Sequence, residues 1–236
     1  MQHLCIDIGN TRTKTALCRD GRFVQIFTGD ALPELTGTFR AAIVQTGNDV
    51  HGLRSRLAGW NIPVLDINAG IRLPFQLHYD TPATLGADRI ALAAGARQLF
   101  SGDLLVVDAG TCITYDIVTA GNVYLGGAIS PGVQMRYRAM HEGTAGLPLP
   151  GSRPDEIPFP AANTFDALHA GAVLGAAAEI DGMFHRAGEK LPAIRLVLTG
   201  GDGETLRKYI KSKIFAFQKN LLFLGMDALL HLNPAE

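Results

Sequence analysis

Two aspartates in this chain stand where an apolar strand breaks into a turn of small residues. Leu4-Cys5-Ile6-Asp7-Ile8 runs into Gly9-Asn10-Thr11 and then into alternating Arg12-Thr13-Lys14. Leu104 to Asp108 runs into Ala109-Gly110-Thr111 and then into Cys112-Ile113-Thr114. A strand–turn–strand of this kind presents backbone N–H groups and a hydroxyl, which together cradle phosphate. Its aspartate cannot face a phosphate directly, but it can hold Mg²⁺ or another cation that does. A third turn, Thr199-Gly200-Gly201-Asp202, lies between a strand and a helical segment, and its glycine pair lets backbone approach a flat ligand such as adenosine. Gly86-Ala87-Asp88-Arg89 opens a further helical segment. The helix dipole favours an ionised carboxylate there, so Asp88 reads as a helix cap or a general base. Arg89 reads as a surface ion pair or as a planar clamp for a carboxylate.

Other chemistries find less support. There is no GxxxxGK[ST] loop and no GxGxxG after the first strand. The seven histidines are dispersed, with no HxxxH or HExxH pair, so neither a metal cluster nor a Ser/His/Asp triad is expected. Cys5, Cys18 and Cys112 are scattered without a CxxC, which argues against a disulfide framework or a zinc site. Twenty-one basic and 22 acidic residues give a net charge of -1, too little to drive nucleic-acid binding by counterion release or attraction to an anionic membrane. The apolar runs are strand-sized, short of the ~20 residues a membrane helix needs, and the N-terminus lacks a signal-peptide pattern. A cytoplasmic protein is expected.

These residues need elements to position them. Thr13 to Cys18 and Arg22 to Phe27 flank Asp20-Gly21 as a hairpin. Ala41 to Gln45 and Pro63 to Ile67 read as buried strands on either side of a helix from about Val50 to Trp60. Apolar residues at helical spacing mark Gly86 to Phe100, which would carry Asp88 at its start. The second cycle opens at Leu104 and contains a long Ala-rich helix over Thr164 to Ala187. It continues with a strand over Arg195 to Thr199, a short basic helix over Glu204 to Lys213, and a final helix ending at His231. His141-Glu142 and the Pro-rich stretch Leu147 to Pro160 read as loops, and Trp60 and most phenylalanines as core. The echo between the Asp7 and Asp108 segments predicts a duplicated α/β domain, with residues 1–102 in one copy and 103–236 in the other.

The ordered strings narrow this further. Asp7-Ile8-Gly9-Asn10-Thr11, Gly86-Ala87-Asp88-Arg89, Asp108-Ala109-Gly110-Thr111, Gly126-Gly127-Ala128-Ile129-Ser130-Pro131-Gly132, Asn163-Thr164 and Thr199-Gly200-Gly201-Asp202 resemble, in sequence and order, the type III pantothenate kinases. Those kinases lie within the superfamily of acetate kinase, sugar kinases, heat-shock chaperone ATPases and actin. The resemblance implies duplicated ribonuclease H-like (actin-like ATPase) domains with a cleft between them. It implies ATP-dependent phosphorylation of pantothenate to 4'-phosphopantothenate in coenzyme A biosynthesis. On the same basis Asp7, Ile8, Gly9, Asn10, Thr11, Arg12, Thr13, Lys14 and Thr111 would bind ATP, with Mg²⁺ near Asp7. Tyr79, Gly86, Ala87, Asp88, Arg89 and Thr164 would bind pantothenate, with Asp88 as base. Asp108 would bind a monovalent cation, K⁺ or NH₄⁺. A homodimer with pantothenate near the subunit boundary is also implied.

Two departures from the family pattern stand out. Ala109 replaces a frequent Phe, and Gly146 sits where a Lys is common. A non-catalytic regulatory or transcription-accessory relative is the alternative reading. It would be expected to lose its base or a phosphate-loop aspartate, and Asp7, Asp88 and Asp108 are all present. Another superfamily activity, such as phosphate-chain hydrolysis or acetate phosphorylation, would not need the Gly86 to Arg89 string.

Overall fold

The computed structural model describes residues 2–9, 12–19, 22–29, 39–47 and 52–234. Strands β1 (Gln2–Ile8), β2 (Thr13–Arg19) and β3 (Arg22–Thr28) form an antiparallel meander. Its turn residues Asp20 and Gly21 lie outside the described residues. Strand β4 (Phe39–Gln45) joins β1 in parallel and β5 (Val64–Asp66) joins β4, so the order is β3-β2-β1-β4-β5. Helix α1 (Leu53–Gly59) connects β4 to β5. It is shorter than the predicted 50–60 segment, of which Val50 and His51 lie outside the described residues.

Burial explains why β1 reads as an almost unbroken apolar run. Leu4, Ile6 and Ile8 pack with α1 on one face of the sheet, while Cys5 packs on the other. A strand covered on both faces has no polar side to alternate with.

Beyond β5 come β6 (Gln76–Leu77) and helix α2 (Ala87–Leu99). The next strands are β7 (Leu104–Ala109), β8 (Cys112–Val118) and β9 (Val123–Pro131), followed by α3 (Val133–Glu142). His141 and Glu142 therefore end a helix rather than occupy a loop. Helix α4 (Thr164–His169), a π-helical turn over Ala170–Leu174 and α5 (Gly175–Lys190) make up the predicted long helical stretch. Strand β10 (Arg195–Thr199), α6 (Gly203–Leu206), β11 (Ile214–Phe217) and α7 (Leu221–Leu232) complete the chain. The predicted basic helix stops at Leu206; beyond it Arg207 pairs with Glu204 and its guanidinium lies over the Phe217 ring.

Two compact units result. One holds Met1–Ser101, Val118–Gly126 and Asn220–Glu236; the other holds Gly102–Ile117 and Gly127–Lys219. The first break falls beside the predicted 102/103 boundary, but Val118–Gly126 and α7 group with the first unit. In the second unit the strands run β11-β10-β7-β8-β9. Numbered from its own first strand, each unit has the order third, second, first, fourth, fifth, and in each the fourth strand runs parallel to the first. The duplication read from the Asp7 and Asp108 segments is therefore a duplication of topology. Among the described residues no helix is long and apolar enough to cross a membrane.

Helices α2 and α7 pack backbone to backbone. A Cβ placed on Gly225 would come within 1.7 Å of the Ala91 carbonyl oxygen, and one on Gly95 within 2.5 Å of the Leu221 carbonyl oxygen. Around this crossing, Ile90, Ala93 and Ala94 meet Met226, Leu229 and Leu230 in the core. Trp60 is not core: it is 48 % exposed, with the Arg56 guanidinium 5.6 Å above its ring. Among the phenylalanines, Phe39, Phe75 and Phe223 are buried, whereas Phe159, Phe165 and Phe215 are exposed. Hydrophobic type does not dictate burial where helix ends and loops supply no partner surface.

The crossing yields a test. Gly225→Ala forces two backbones apart and should destabilise the protein by about 3 kcal/mol or more, the upper end of overpacking effects. Gly182→Ala, on α5 with open space at its Cβ position, should gain up to ~1 kcal/mol through helix propensity. Urea unfolding of both variants measures the contrast, and an unchanged midpoint for Gly225→Ala would contradict the close packing.

Candidate active site

In the first unit the predicted residues gather at the end of β1 and the start of α2. Asp7 sits one residue before the end of β1, opposite Lys14 across the antiparallel pair. Ile8 is buried, and its carbonyl oxygen accepts N–H bonds from Thr46 (3.0 Å) and Gly47 (2.9 Å). These bonds tie the end of β1 to the chain that follows β4. Gly9 is held close to the chain beyond the turn, where a Cβ would lie 3.1 Å from the Arg12 carbonyl oxygen. Arg12 is exposed and Thr13 buried. Asn10 and Thr11, expected at the turn's tip, lie outside the described residues.

Asp88 occupies the first turn of α2, where it folds back over Gly86. Its Oδ1 accepts the Arg89 N–H at 2.9 Å, and a Cβ on Gly86 would meet that oxygen at 2.5 Å. Gly86, the residue preceding the helix, has no side chain to cap it, and the Asp88 carboxylate instead satisfies the first-turn Arg89 N–H, as a cap would. Ala87 is the first helical residue, and Arg89 is 5 % exposed, which removes the surface-ion-pair reading of Arg89.

Asp7 and Asp88 influence each other. Burial raises the Asp7 carboxyl from its ordinary 3.8 to about 6; Lys14 pulls it down and the Asp88 charge pushes it up. Two carboxylates in one place with limited cationic compensation suit a divalent ion bound through hard oxygen donors. Tyr79 lies in the same unit. Its ring lies against Gly126, where a Cβ would come within 3.2 Å of it, and tilts toward Tyr124 at 6.2 Å. Gly126 adopts φ +80, a conformation that favours glycine.

The second unit brings together two turns that were separate in sequence. Asp108 pairs with Thr199 across the parallel β7–β10 ladder. A Cβ on Gly200 would lie 2.4 Å from both Asp108 Oδ1 and the Ala109 carbonyl oxygen. The Asp202 N–H donates to that carbonyl at 2.9 Å, which ties the Gly200 turn to the Asp108 turn. Gly132 closes on the same loop: its N–H donates to the Thr111 carbonyl at 3.1 Å, and a Cβ there would collide with the Gly110 carbonyl at 2.3 Å. Thr111 is exposed at the tip. Thr164 is also exposed, at the start of α4. Asn163 caps that helix by accepting the Asp166 N–H at 2.9 Å and donating to the Asp166 carboxylate at 2.6 Å.

Two constellations escaped the sequence reading. Glu179 accepts hydrogen bonds from Tyr115 (2.7 Å), Ser130 and Arg136, and Arg136 also donates to the Pro131 carbonyl at 2.9 Å. Burial opposes the Glu179 charge, but these donors outweigh it and hold the carboxyl below its ordinary range. The network fixes the Ser130-Pro131 part of the glycine-rich string. A carboxylate directly after the Ala176-Ala177-Ala178 run was the available signal. The second constellation corrects the expectation of dispersed histidines. His3 and His231 meet at Asp227, with His3 Nδ1 2.6 Å from Asp227 Oδ1.

Comparison with known proteins shows the family. The sequence profile of the type III pantothenate kinase family matches residues 3–186. A type III pantothenate kinase of Bacteroides fragilis is 37 % identical over 98 % of this chain and 98 % of its own length. One from Christiangramia forsetii is 33 % identical over 99 % of this chain and all of its own. A ROK family glucokinase from Streptomyces griseus, solved with glucose and AMPPNP, superposes with a TM-score of 0.51 at 12 % identity, covering 96 % of this chain and 98 % of that one. That likeness concerns the fold, which is α/β with duplicated ribonuclease H-like domains.

The raised Asp7 carboxyl carries a sign. The folded chain keeps this proton up to about pH 6, whereas the unfolded chain releases it near 4. The Asp7 contribution to stability therefore falls as pH rises from about 4 to about 6 and stays low above that. Asp7→Asn should be more stable than the parent at pH 8 by about 1–2 kcal/mol, after discounting for partial solvent screening. The advantage should vanish near pH 4. Chemical denaturation at the two pH values measures it, and equal stabilities at pH 8 would contradict it.

Proposed function

The chain belongs to the type III pantothenate kinase family, and from that premise we propose that Asp88 is the base that receives the hydroxyl proton of pantothenate. The enzyme transfers the γ-phosphoryl group of ATP to the primary hydroxyl of pantothenate, giving 4'-phosphopantothenate for coenzyme A synthesis. The observation that carries the Asp88 assignment is its position: at the first turn of α2, with Oδ1 engaged by the Arg89 N–H. The Arg89 bond orients the carboxylate and leaves its other oxygen to accept the proton. As the hydroxyl oxygen bonds to the γ-phosphorus, the bond to the ADP oxygen breaks and the proton passes to Asp88, which returns it to solvent. Little covalent chemistry is asked of the protein; alignment and charge compensation dominate.

Asp7, Lys14 and the turn between β1 and β2 form the ATP-phosphate loop in this reading. Asp7 would hold the Mg²⁺ that accompanies ATP, and that ion would neutralise phosphate charge. The raised Asp7 carboxyl supports the assignment, because a bound cation relieves the burial that raises it. Tyr79, Gly86, Ala87, Arg89 and Thr164 contribute to pantothenate binding, with Arg89 suited to its carboxylate. Thr111 contributes to ATP binding. Asp108 would hold K⁺ or NH₄⁺: its Oδ1 and the Ala109 carbonyl converge beside the bare Cα of Gly200, an oxygen-rich setting suited to a weakly hydrated cation.

A homodimer belongs to the same proposal. Phe159 (82 %), Ile129 (61 %) and Phe165 (53 %) are large apolar side chains left exposed in the second unit, and Phe165 directly follows Thr164. Apolar surface of this kind is commonly covered by association.

Incubation of the protein with ATP and pantothenate should yield phosphopantothenate. Asp88→Asn should fold and bind ATP while losing about 10²–10⁴-fold in kcat, the range for a general base. A well-folded Asp88→Asn enzyme with near-normal kcat would remove Asp88 from this role.

Replacing K⁺ by Na⁺ at matched ionic strength should lower the rate several-fold. Asp108→Asn should weaken ATP binding and abolish that difference. Equal parent rates in the two salts would leave Asp108 as an organiser of its own turn.

A further inference from the structure

Away from the kinase residues, the first unit gathers five side chains with metal-binding chemistry on the inner side of its sheet. His3 and Cys5 alternate onto the same face of β1, and Cys18 lies directly across from His3 on β2. Helix α7 covers this face and presents Asp227 and His231, one helical turn apart. The contributing residues are 224 positions apart in sequence for His3 and Asp227, so the fold alone assembles them. His3 is 2 % exposed and Asp227 7 %. Residues of this polarity are rarely buried together without a purpose or a pairing.

We propose that His3, Asp227 and His231 form a binding site for a divalent transition metal, with zinc as the best-suited ion. One donor atom from each of the three lies within 4.8 Å of the other two. His3 Nδ1 is 2.6 Å and His231 Nδ1 3.6 Å from carboxylate oxygens of Asp227; His231 Nδ1 also lies 2.8 Å from the Asp227 main-chain carbonyl, a hydrogen bond it would give up, with its proton, on binding the ion. Donors bound to zinc at about 2.0–2.1 Å in a tetrahedron stand roughly 3.3–3.4 Å apart. Side-chain shifts of under about 1 Å at the Asp227 carboxylate would therefore bring these two pairs to that spacing. Two imidazoles and a carboxylate match the nitrogen and oxygen ligands zinc prefers, and three protein ligands leave its fourth position to solvent. The site has an entry path as well. His231 is largely exposed and lines a surface hollow of about 290 Å³ shared with Ala94, Gln98 and Leu232.

Cys5 and Cys18 form a second triad with Asp227, also within 4.8 Å. Both thiols are buried, whereas His231 is exposed. The solvent-accessible imidazole places the ion on the histidine side, with the thiols as a soft, polarisable backing. The metal would cross-link β1 to α7, the helix that packs against the Asp88-bearing α2. Its role is structural, and no kinase step requires it.

The test uses the full, untagged chain stripped of metal by a chelator, in the absence of ATP. Titration with Zn²⁺ against a chromophoric chelator should show a single tight equivalent per chain, and thermal unfolding should move to higher temperature with zinc but not with Mg²⁺. His231→Gln, at a position whose side chain is 56 % exposed, should weaken zinc binding by more than about 100-fold, beyond the 10–100-fold typical of a second-sphere change. The near-isosteric Asp227→Asn should do the same, and the double variant Cys5→Ser, Cys18→Ser should retain the site. Absence of a tight equivalent in the parent would overturn the proposal and leave a hydrogen-bonded His–Asp–His cluster. Binding that survives in His231→Gln but disappears in the cysteine double variant would overturn the assignment of ligands.

Discussion

The close crossing of α2 and α7 is the constraint on which the first unit depends. Gly95 and Gly225 let two helical backbones approach until a methyl group on either would strike a carbonyl oxygen of the other. That contact holds α2 against the sheet and so fixes where its N-terminus ends. Asp88 owes its place near Asp7 to a glycine pair well along the helix and to a helix contributed by the C-terminal end of the chain. The mutual electrostatic influence of Asp7 and Asp88 is thus a consequence of helix packing, not of either loop's own sequence.

The second unit reaches an equivalent arrangement by different packing. Its first strand again ends in an aspartate and a small turn, and the parallel neighbour β10 again runs alongside. Here glycines do their work in the turns themselves. Gly132 and Gly200 stand against the backbone and carboxylate of the Asp108 loop where no side chain fits. A shared strand order accounts for the shared position of the two aspartates. A parallel fourth strand beside the first leaves the same strand end open in each unit, which is where open α/β sheets place ligands. The Glu179 network then pins the following glycine-rich string from the helix side.

Carboxylates in this chain serve different ends. Glu179 is half-buried among donors and kept ionised, so it serves structure. Asp7 is buried with one lysine opposite and another carboxylate nearby, and its proton is held up to about pH 6. A group left electrostatically dissatisfied in this way gains from a cation, and phosphoryl transfer brings one with its nucleotide. Asp227 is a third case, a buried carboxylate between two imidazoles.

Much of this was legible in the residues. The strand–Asp–turn repeats, the start of α2 at Gly86-Ala87-Asp88-Arg89 and the glycine turn at Gly200 follow from local chemistry, because strand alternation, helix onset and turn formation are decided over a few neighbouring residues. The order of these strings along the chain carried the family. What local chemistry could not reach was placement. Trp60 lies on the surface and the basic run past Leu206 is not helical, although residue type alone pointed the other way in each case. Burial of Arg89, the Glu179 hub, the return of α7 to the first unit and the meeting of His3 with His231 likewise belong to tertiary structure alone. Contacts between residues far apart in sequence leave no periodicity behind. Side-chain type and spacing can name the groups able to do chemistry, but only packing of the sheets and helices decides which of them meet.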